Sequence, residues 1–219
     1  MAITRLGPNS VNLTSAVTGT LPVTNGGTAV TTAAALANTG NLVLIKTVVA
    51  NNDATVEFIN GSNDVVIDST YKQYIIKGFN ITADANGETY FAFRESGSFQ
   101  NGDYARIYSR LERVSGSGSQ SVGSNWTDNS HGIRIEHNYT GQSPKASNFD
   151  IIVNNPDDST LLTSCMFHTW GANQESQDRY MGMRGGGYYK DNGNAVDGFR
   201  FDHSGGDLYG TFSLYGVKA

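Results

Sequence analysis

Five aromatic residues stand beside amides, carboxylates and glycines: Trp126, Tyr139, Trp170, Tyr188 and Tyr189. An aromatic ring offers a flat apolar face and, in Trp and Tyr, a polar edge, which suits contact with a sugar ring or a protein surface. The same residues serve equally well as subunit contacts or as core anchors. The four histidines, His131, His137, His168 and His203, fall on different expected strands or strand ends. They lack the paired spacing of a zinc site, and one cysteine does not complete one.

Two segments place oxygen ligands near a glycine turn, Asp84-Ala85-Asn86-Gly87-Glu88 and Asp191-Asn192-Gly193-Asn194 to Asp197. Neither has the full calcium-loop spacing, so ordinary Asx turns are the better account. Gly182 to Gly187 contains Gly-x-x-Gly-Gly-Gly, but no Lys-Ser/Thr and no helical pattern follows, which argues against a phosphate cradle. Carboxylate pairs for glycoside hydrolysis act across distances that a sequence does not display, and nothing nominates one pair. No catalytic residue, metal ligand or cofactor is expected, and the chain reads as a non-enzyme.

Such side chains need a scaffold, and the composition indicates which kind. The charged fraction is 16% and Gly is 26 of 219 residues, against averages of about 25% charged and about 7% Gly. Low charge with abundant Gly, Asn, Ser and Thr is what many short strands joined by tight turns require. The 38% hydrophobic and 11% aromatic content can build a core, which sets disorder aside. A net charge of −5 and a pI near 5.3 argue against a phosphate-tracking surface, so nucleic acid is not an expected partner. Cys165 is the lone cysteine, which precludes an intrachain disulfide; within the apolar run Leu161 to Phe167 it reads as a buried, inert thiol. The N-terminus lacks the apolar core of a signal peptide, and no apolar run approaches the roughly 18 residues that span a bilayer. The chain is therefore expected to be soluble, made in a cytoplasm and not inserted in a membrane. The Asn-x-Ser/Thr sequons at Asn12, Asn60, Asn80, Asn125 and Asn138 follow from composition.

Taken in order, residues 1–40 form an arm and linker. Its isolated apolar residues, Ile3, Leu6, Val11, Leu13 and Val17, bury too little to offset the entropy of ordering them, so the arm is ordered by docking onto a partner or a second copy. Leu21 to Thr32 suits neither a helix interior nor a central strand, and Thr32 to Asn38 is expected to form a short helix capped by Thr32 and stopped by Gly40. From Leu42 the pattern becomes that of a β body over residues 41–219. Expected strands include 42–49, 55–59, 65–67, 74–81, 89–94, 105–111, 132–137, 149–153, 161–169, 180–184, 198–203 and 210–217. Asn60-Gly61 and Asn86-Gly87 read as hairpin turns, and 115–129 reads as a long surface loop. The expected fold is all-β: an antiparallel β-sandwich or jelly roll with an extended N-terminal arm.

Three features resemble bacteriophage virion proteins of the tail-fibre type, especially from phages of marine bacteria and cyanobacteria. The opening Met1-Ala2-Ile3-Thr4-Arg5-Leu6-Gly7 looks like the start of such chains. Leu-Pro-Val-Thr-Asn-Gly-Gly-Thr-Ala-Val-Thr-Thr at 21–32 resembles a linker common in them, usually with Gly where Ala29 stands. The closing Gly210 to Val217 is similar to the family's terminal strand. Leu44 to Thr47 and Ser69 to Ile76 look like the body's opening strands. The resemblance implies a virion structural protein, assembled in the host cytoplasm, homotrimeric, docked to other virion proteins through residues 1–40. Its β-domain would project toward a host-surface glycan or protein, on the tail in preference to the capsid. A capsid-surface decoration or head-fibre protein shares these features, and a carbohydrate-binding or carbohydrate-degrading domain is a third reading.

Overall fold

The computed structural model describes residues 41–114, 117–127, 131–135, 139–140, 146–173, 179–190 and 194–218. The arm and the helix expected near residues 32–38 lie outside them. The body spans Leu42–Ala219, and its described residues contain strands and turns but no helix.

Alternation decides which residues become strands. In Ser147–Asn154, Ser147, Phe149, Ile151 and Val153 are buried while the residues between them are only partly covered, the period-two pattern of a strand with one face on a core. The elements in chain order are β1 (Leu42–Asp53), β2 (Thr55–Ile59), β3 (Gln73–Ala83), β4 (Asn86–Gly87), β5 (Thr89–Glu95), β6 (Ser98–Phe99), β7 (Tyr104–Val114) and β8 (Ser117–Thr127). They continue as β9 (Ile133–Arg134), β10 (Tyr139–Thr140), β11 (Ser147–Asn154), β12 (Ser164–Asn173), β13 (Arg179–Tyr189), β14 (Val196–His203) and β15 (Leu208–Val217).

A major sheet of eight strands runs β1-β15-β3-β11-β12-β13-β7-β8, and a minor sheet runs β2-β14-β5-β6 with β9 beside β5. Their paired neighbours are antiparallel. The two sheets pack face to face as a β-sandwich. Phe201 of β14 lies 5.1 Å from Phe149 of β11 and 5.2 Å from Phe212 of β15, ring centre to ring centre. Phe93 of β5 approaches Tyr104 of β7 at 5.9 Å, and Tyr74 of β3 approaches Phe199 of β14 at 5.8 Å. These fully buried rings give the sandwich its driving force, each stabilising the fold by about 1.5–3 kcal/mol before entropic costs. The Tyr104 hydroxyl accepts the Phe93 N–H at 2.9 Å and donates to the Gln100 carbonyl at 2.9 Å, so its burial leaves no polar atom unpaired.

Several expected turns differ. Residues 115–129, read as a surface loop, contain β8, which pairs with β7 from Val114↔Ser117 to Tyr104↔Thr127. Its Ser- and Gly-rich sequence has little strand preference of its own, and the ladder along β7 supplies what propensity lacks. Asn60-Gly61 does turn, with Gly61 at φ 76°, but into a loop closed by the Asn60 side chain, whose Oδ1 accepts the Ile67 N–H at 3.0 Å. Val65 and Ile67 are buried there without forming a strand.

Asn86-Gly87 is a short strand rather than a hairpin turn. It pairs with β10 on a connection that carries the chain from β3 in the major sheet to β5 in the minor one. The corner 204–207 crosses back from β14 to β15 against it: Glu88 N–H donates to Ser204 Oγ at 3.0 Å and Asp207 N–H to Asp84 Oδ1 at 2.8 Å. A Cβ on Gly205 would overlap the Asn86 carbonyl, so glycine there permits the two corners to touch. Gly185-Gly186-Gly187, just past the end of the strand expected at 180–184, sits inside the continuous β13.

Candidate functional site

The five aromatic candidates separate by strand register. Tyr189 is 4% exposed and faces the core, with its ring 5.3 Å from that of Tyr104. Of the readings open to Tyr189, its burial favours the core anchor: on β13 it follows a residue of the outer face, and the pleat turns it inward. Tyr188, on that outer face, is half-buried. Trp170 of β12 is 42% exposed, beside His168 with ring centres 5.1 Å apart. Tyr188 and Trp170 thus both stand on strands, β13 and β12. Trp126 lies on β8 opposite Ala105, which is also the partner of Tyr188, so the backbone places 126 and 188 in one row. Tyr139 lies on β10 opposite Gly87, remote from that row in the pairing pattern. The side chains of Trp126 and Tyr139 lie outside the described residues.

The outer face of the major sheet gathers more than these aromatics. Reading across the paired strands, one row holds Leu44, Tyr215, Ile75, Ile152, Met166, Gly186 and Ile107. The next holds Thr47, Ser213, Lys77, Asp150, His168, Arg184 and Ser109, and a third holds Val49, Thr211 and Phe79, then Asn148, Trp170, Gly182 and Leu111 beyond a bulge in β3. Two apolar rows thus flank a polar one. The polar row is tied internally, with Lys77 Nζ 2.7 Å from Asp150 Oδ1 and a Thr47–Ser213 hydroxyl bond of 3.0 Å.

Val49 is 70% exposed and Ile107 63%, and Leu44, Phe79, Leu111 and Met166 are also exposed. On β12, β13 and β7 the outward positions from Ser164 to Trp170, Gly182 to Tyr188 and Ala105 to Leu111 carry no Lys, Asp or Glu. Aromatics, Met and Arg without Lys, Asp or Glu are the composition of the buried centre of a protein interface. Sequence reasoning missed Ile107, Leu111, Met166, Leu44 and Val49, because an aliphatic residue on a strand reads first as core. The available signal was the glycine-rich stretch within an otherwise regular strand.

The glycines shape this face. Gly186 forms the floor of a groove over β13, with Met166 on one wall and Ile107 on the other and the exposed Arg184 at its side; Gly182 lies on the same face beyond Arg184, between Trp170 and Leu111 in the pairing register. One cavity of about 670 Å³ lies over Gly186 and Gly187, and another of about 610 Å³ over Gly185 and Gly186; they share Ile107, Met166 and Gly186. Gly185 has the opposite role, facing inward where an added Cβ would meet the Phe167 ring at 2.7 Å and Tyr108 Cβ at 2.9 Å.

Other titratable groups are tied into the fold. Glu88 pairs with Arg134, whose carbonyl accepts an N–H from buried Arg106 at 2.7 Å. Burial, with Arg134 nearby, brings the Arg106 guanidinium down to about 10. His131 stacks on Tyr90 at 4.9 Å and lies 3.4 Å from Asp202, which also meets Arg200 at 3.2 Å. His137 lies outside the described residues. Among the described residues no three His, Cys, Asp or Glu side chains gather as a metal site. Cys165 is buried, and burial pushes its thiol up to about 12. Native protein is therefore expected to resist a water-soluble disulfide reagent, and to react stoichiometrically once unfolded in guanidinium; a spectrophotometric thiol assay reads both.

His203 gives the body a pH dependence. It is buried, with Nδ1 accepting the Gly205 N–H at 3.3 Å. Burial lowers its pKa, against the opposing pull of a Gly87 backbone hydrogen bond and the Asp84 and Glu88 charges. The unfolded chain takes up this proton as pH falls through about 6.5, before the folded one does, so the contribution present above that pH is lost below it. Asp202 acts in the opposite sense, because burial raises its carboxyl and protonation nearer the ordinary carboxylate range relieves a cost. Thermal melts should show the midpoint falling between about pH 7.5 and about pH 5.5, and His203→Gln should flatten that fall.

No family model, curated protein or solved structure matches this chain.

Proposed function

We propose that this chain is a virion structural protein of the tail-fibre type, with residues 1–40 docking it to other virion proteins and a trimeric β-sandwich body projecting toward the host surface. The observation that carries the reading is the outer face of the major sheet, where exposed Leu44, Val49, Phe79, Ile107, Leu111, Met166 and Trp170 share two rows. Monomeric soluble proteins rarely expose a contiguous apolar patch beyond a few hundred Å², so such a face belongs in an assembly. The resemblance of the opening residues, the linker and the last strand to tail-fibre chains supplies the kind of assembly.

Among the described residues the hydrophobic core runs from Val43 to Leu214, and a body that folds on these contacts should survive removal of the arm. A chain lacking residues 1–40 is expected to keep its β circular dichroism and cooperative melt while disappearing from purified particles made in its presence. Incorporation of the truncated chain at the full-length level would overturn the docking role of the arm.

A further inference from the structure

The chain carries five Asn-Gly pairs, at Asn25, Asn60, Asn86, Asn101 and Asn192. In this dipeptide a backbone nitrogen readily attacks the preceding side-chain amide, because glycine has no Cβ to hinder the approach. Three of the pairs lie among the described residues, and their surroundings differ. At Asn60 both reacting groups are engaged: Oδ1 accepts the Ile67 N–H at 3.0 Å, and the Gly61 N–H donates to the Val65 carbonyl at 2.9 Å. At Asn86 the pair is held in the β4–β10 ladder, and the space over Gly87 is filled. An added Cβ there would come within 2.6 Å of the Gly205 nitrogen and of the His203 ring.

Asn101 differs on each count. It is exposed in the connection between β6 and β7, outside any ladder. The Gly102 N–H has no hydrogen-bond acceptor among the described residues, and a Cβ built on Gly102 meets nothing within 4 Å. The side-chain carbonyl, in contrast, is engaged by a cation: Arg200 Nη2 donates to Asn101 Oδ1 at 2.9 Å. The guanidinium is itself fixed, 4.8 Å over the Phe99 ring and 3.2 Å from Asp202. A cation held on a carbonyl oxygen draws electrons from the carbon and stabilises the negative charge that develops on that oxygen under attack.

We infer that Asn101 is a site of self-modification, at which the Gly102 nitrogen cyclises onto the Asn101 side chain with Arg200 as the oxyanion donor. The Gly102 nitrogen attacks Asn101 Cγ, its proton passes to solvent, and negative charge gathers on Oδ1 against Arg200. The tetrahedral centre then expels Nδ2 as ammonia, which takes a proton from water as it leaves, and a succinimide ring results. Water opens the ring at either carbonyl. Cleavage of the new bond to Cγ gives aspartate; cleavage of the original peptide bond gives isoaspartate, with one more carbon in the backbone. The sum is amide plus water to carboxylate plus ammonium, with no change of oxidation state. Either product sets a second carboxylate beside Arg200, in competition with Asp202.

The test incubates the folded full-length chain at mildly alkaline pH in isotopically labelled water and follows the three sites by peptide mapping and mass spectrometry. Trypsin releases Glu95 to Arg106 as one peptide containing Asn101, and a synthetic copy of it gives the rate without a fold. Folded protein should convert Asn101 at the synthetic peptide's rate or faster, with labelled oxygen in the product. Asn60 and Asn86 should lag behind their own synthetic peptides. Arg200→Gln should slow conversion at Asn101 by about tenfold, less than in an enclosed oxyanion hole because this donor is open to water. The other two sites should keep their rates. Gly102→Ala, which hinders the nucleophile where the fold has room for a methyl, should suppress conversion without altering the circular dichroism. Asn101 left intact in the folded chain while its synthetic peptide converts would overturn the site. Equal or faster conversion in folded Arg200→Gln would overturn the role of Arg200.

Discussion

Phe201→Ala is expected to destabilise the body by about 3–5 kcal/mol, the range for removing a fully buried aromatic ring. Phe201 belongs to the minor sheet, yet its ring lies 5.1 Å from Phe149 and 5.2 Å from Phe212 of the major sheet, as well as 5.2 Å from Phe91 of its own. Truncation opens a cavity shared by both layers, which the surrounding rings cannot collapse to fill without pulling strands apart. For a body of this size the midpoint of thermal unfolding should fall by roughly 6–20 °C. Phe79→Ala provides the contrast. That residue is a similar aromatic on the outer face, and its removal should change stability by no more than about 0.5 kcal/mol. Calorimetry of the two variants reads the difference. Equal effects would mean that the sheets are not held together through the Phe149–Phe201–Phe212 cluster.

The second large effect separates glycines three residues apart on one strand. Gly185→Ala places a methyl against the Ile107 carbonyl, the Phe167 ring and Tyr108 Cβ, all too close for an ordinary contact. Two of these are backbone or backbone-proximal atoms of the neighbouring strand, so relief requires β7 and β13 to separate locally. A cost of about 1–3 kcal/mol is expected, as for overpacking elsewhere. Gly182→Ala faces the open outer side of the sheet, where the nearest atom to the new methyl is the Thr169 carbonyl oxygen at 3.8 Å. It should be neutral or stabilising by up to about 1 kcal/mol, because glycine inside a strand carries an entropic penalty that alanine lacks. Denaturant unfolding of the pair distinguishes them. Similar destabilisation by both would contradict the assignment of Gly185 to the core side and Gly182 to the outer face.

Much of the sandwich is legible in the sequence. The run Phe149 to Val153, set off by the Asn-Asn-Pro-Asp-Asp-Ser turn that follows it, and the runs at 198–203 and 210–217 mark strands in the sequence itself. What failed were elements whose structure depends on a partner. The Ser/Gly stretch of β8 has no alternation to read, and only its ladder with β7 makes it a strand. Asn86-Gly87 has the residues of a hairpin turn, but the chain around it changes sheets, so the 204–207 corner determines its conformation instead. The candidate aromatics divided for a similar reason: Tyr188 and Tyr189 are adjacent, and a pleat sends one out and the other in. Composition placed aromatics beside polar residues without showing which strands adjoin. The groove therefore stayed hidden until register set Met166, Gly186 and Ile107 in one row. The proposed place on a virion rests on the resemblance of the arm, linker and last strand, supported by a sheet face that a solitary molecule would leave bare.

The most direct test of that proposal is gold-antibody labelling of purified phage particles, with antibody raised against residues 41–219 and particles lacking this chain as the control. Label concentrated at the tail is the expected result, and the same antibody should then block adsorption to host cells. Label spread over the head would contradict the tail-fibre assignment, and particles free of label would contradict a virion role altogether.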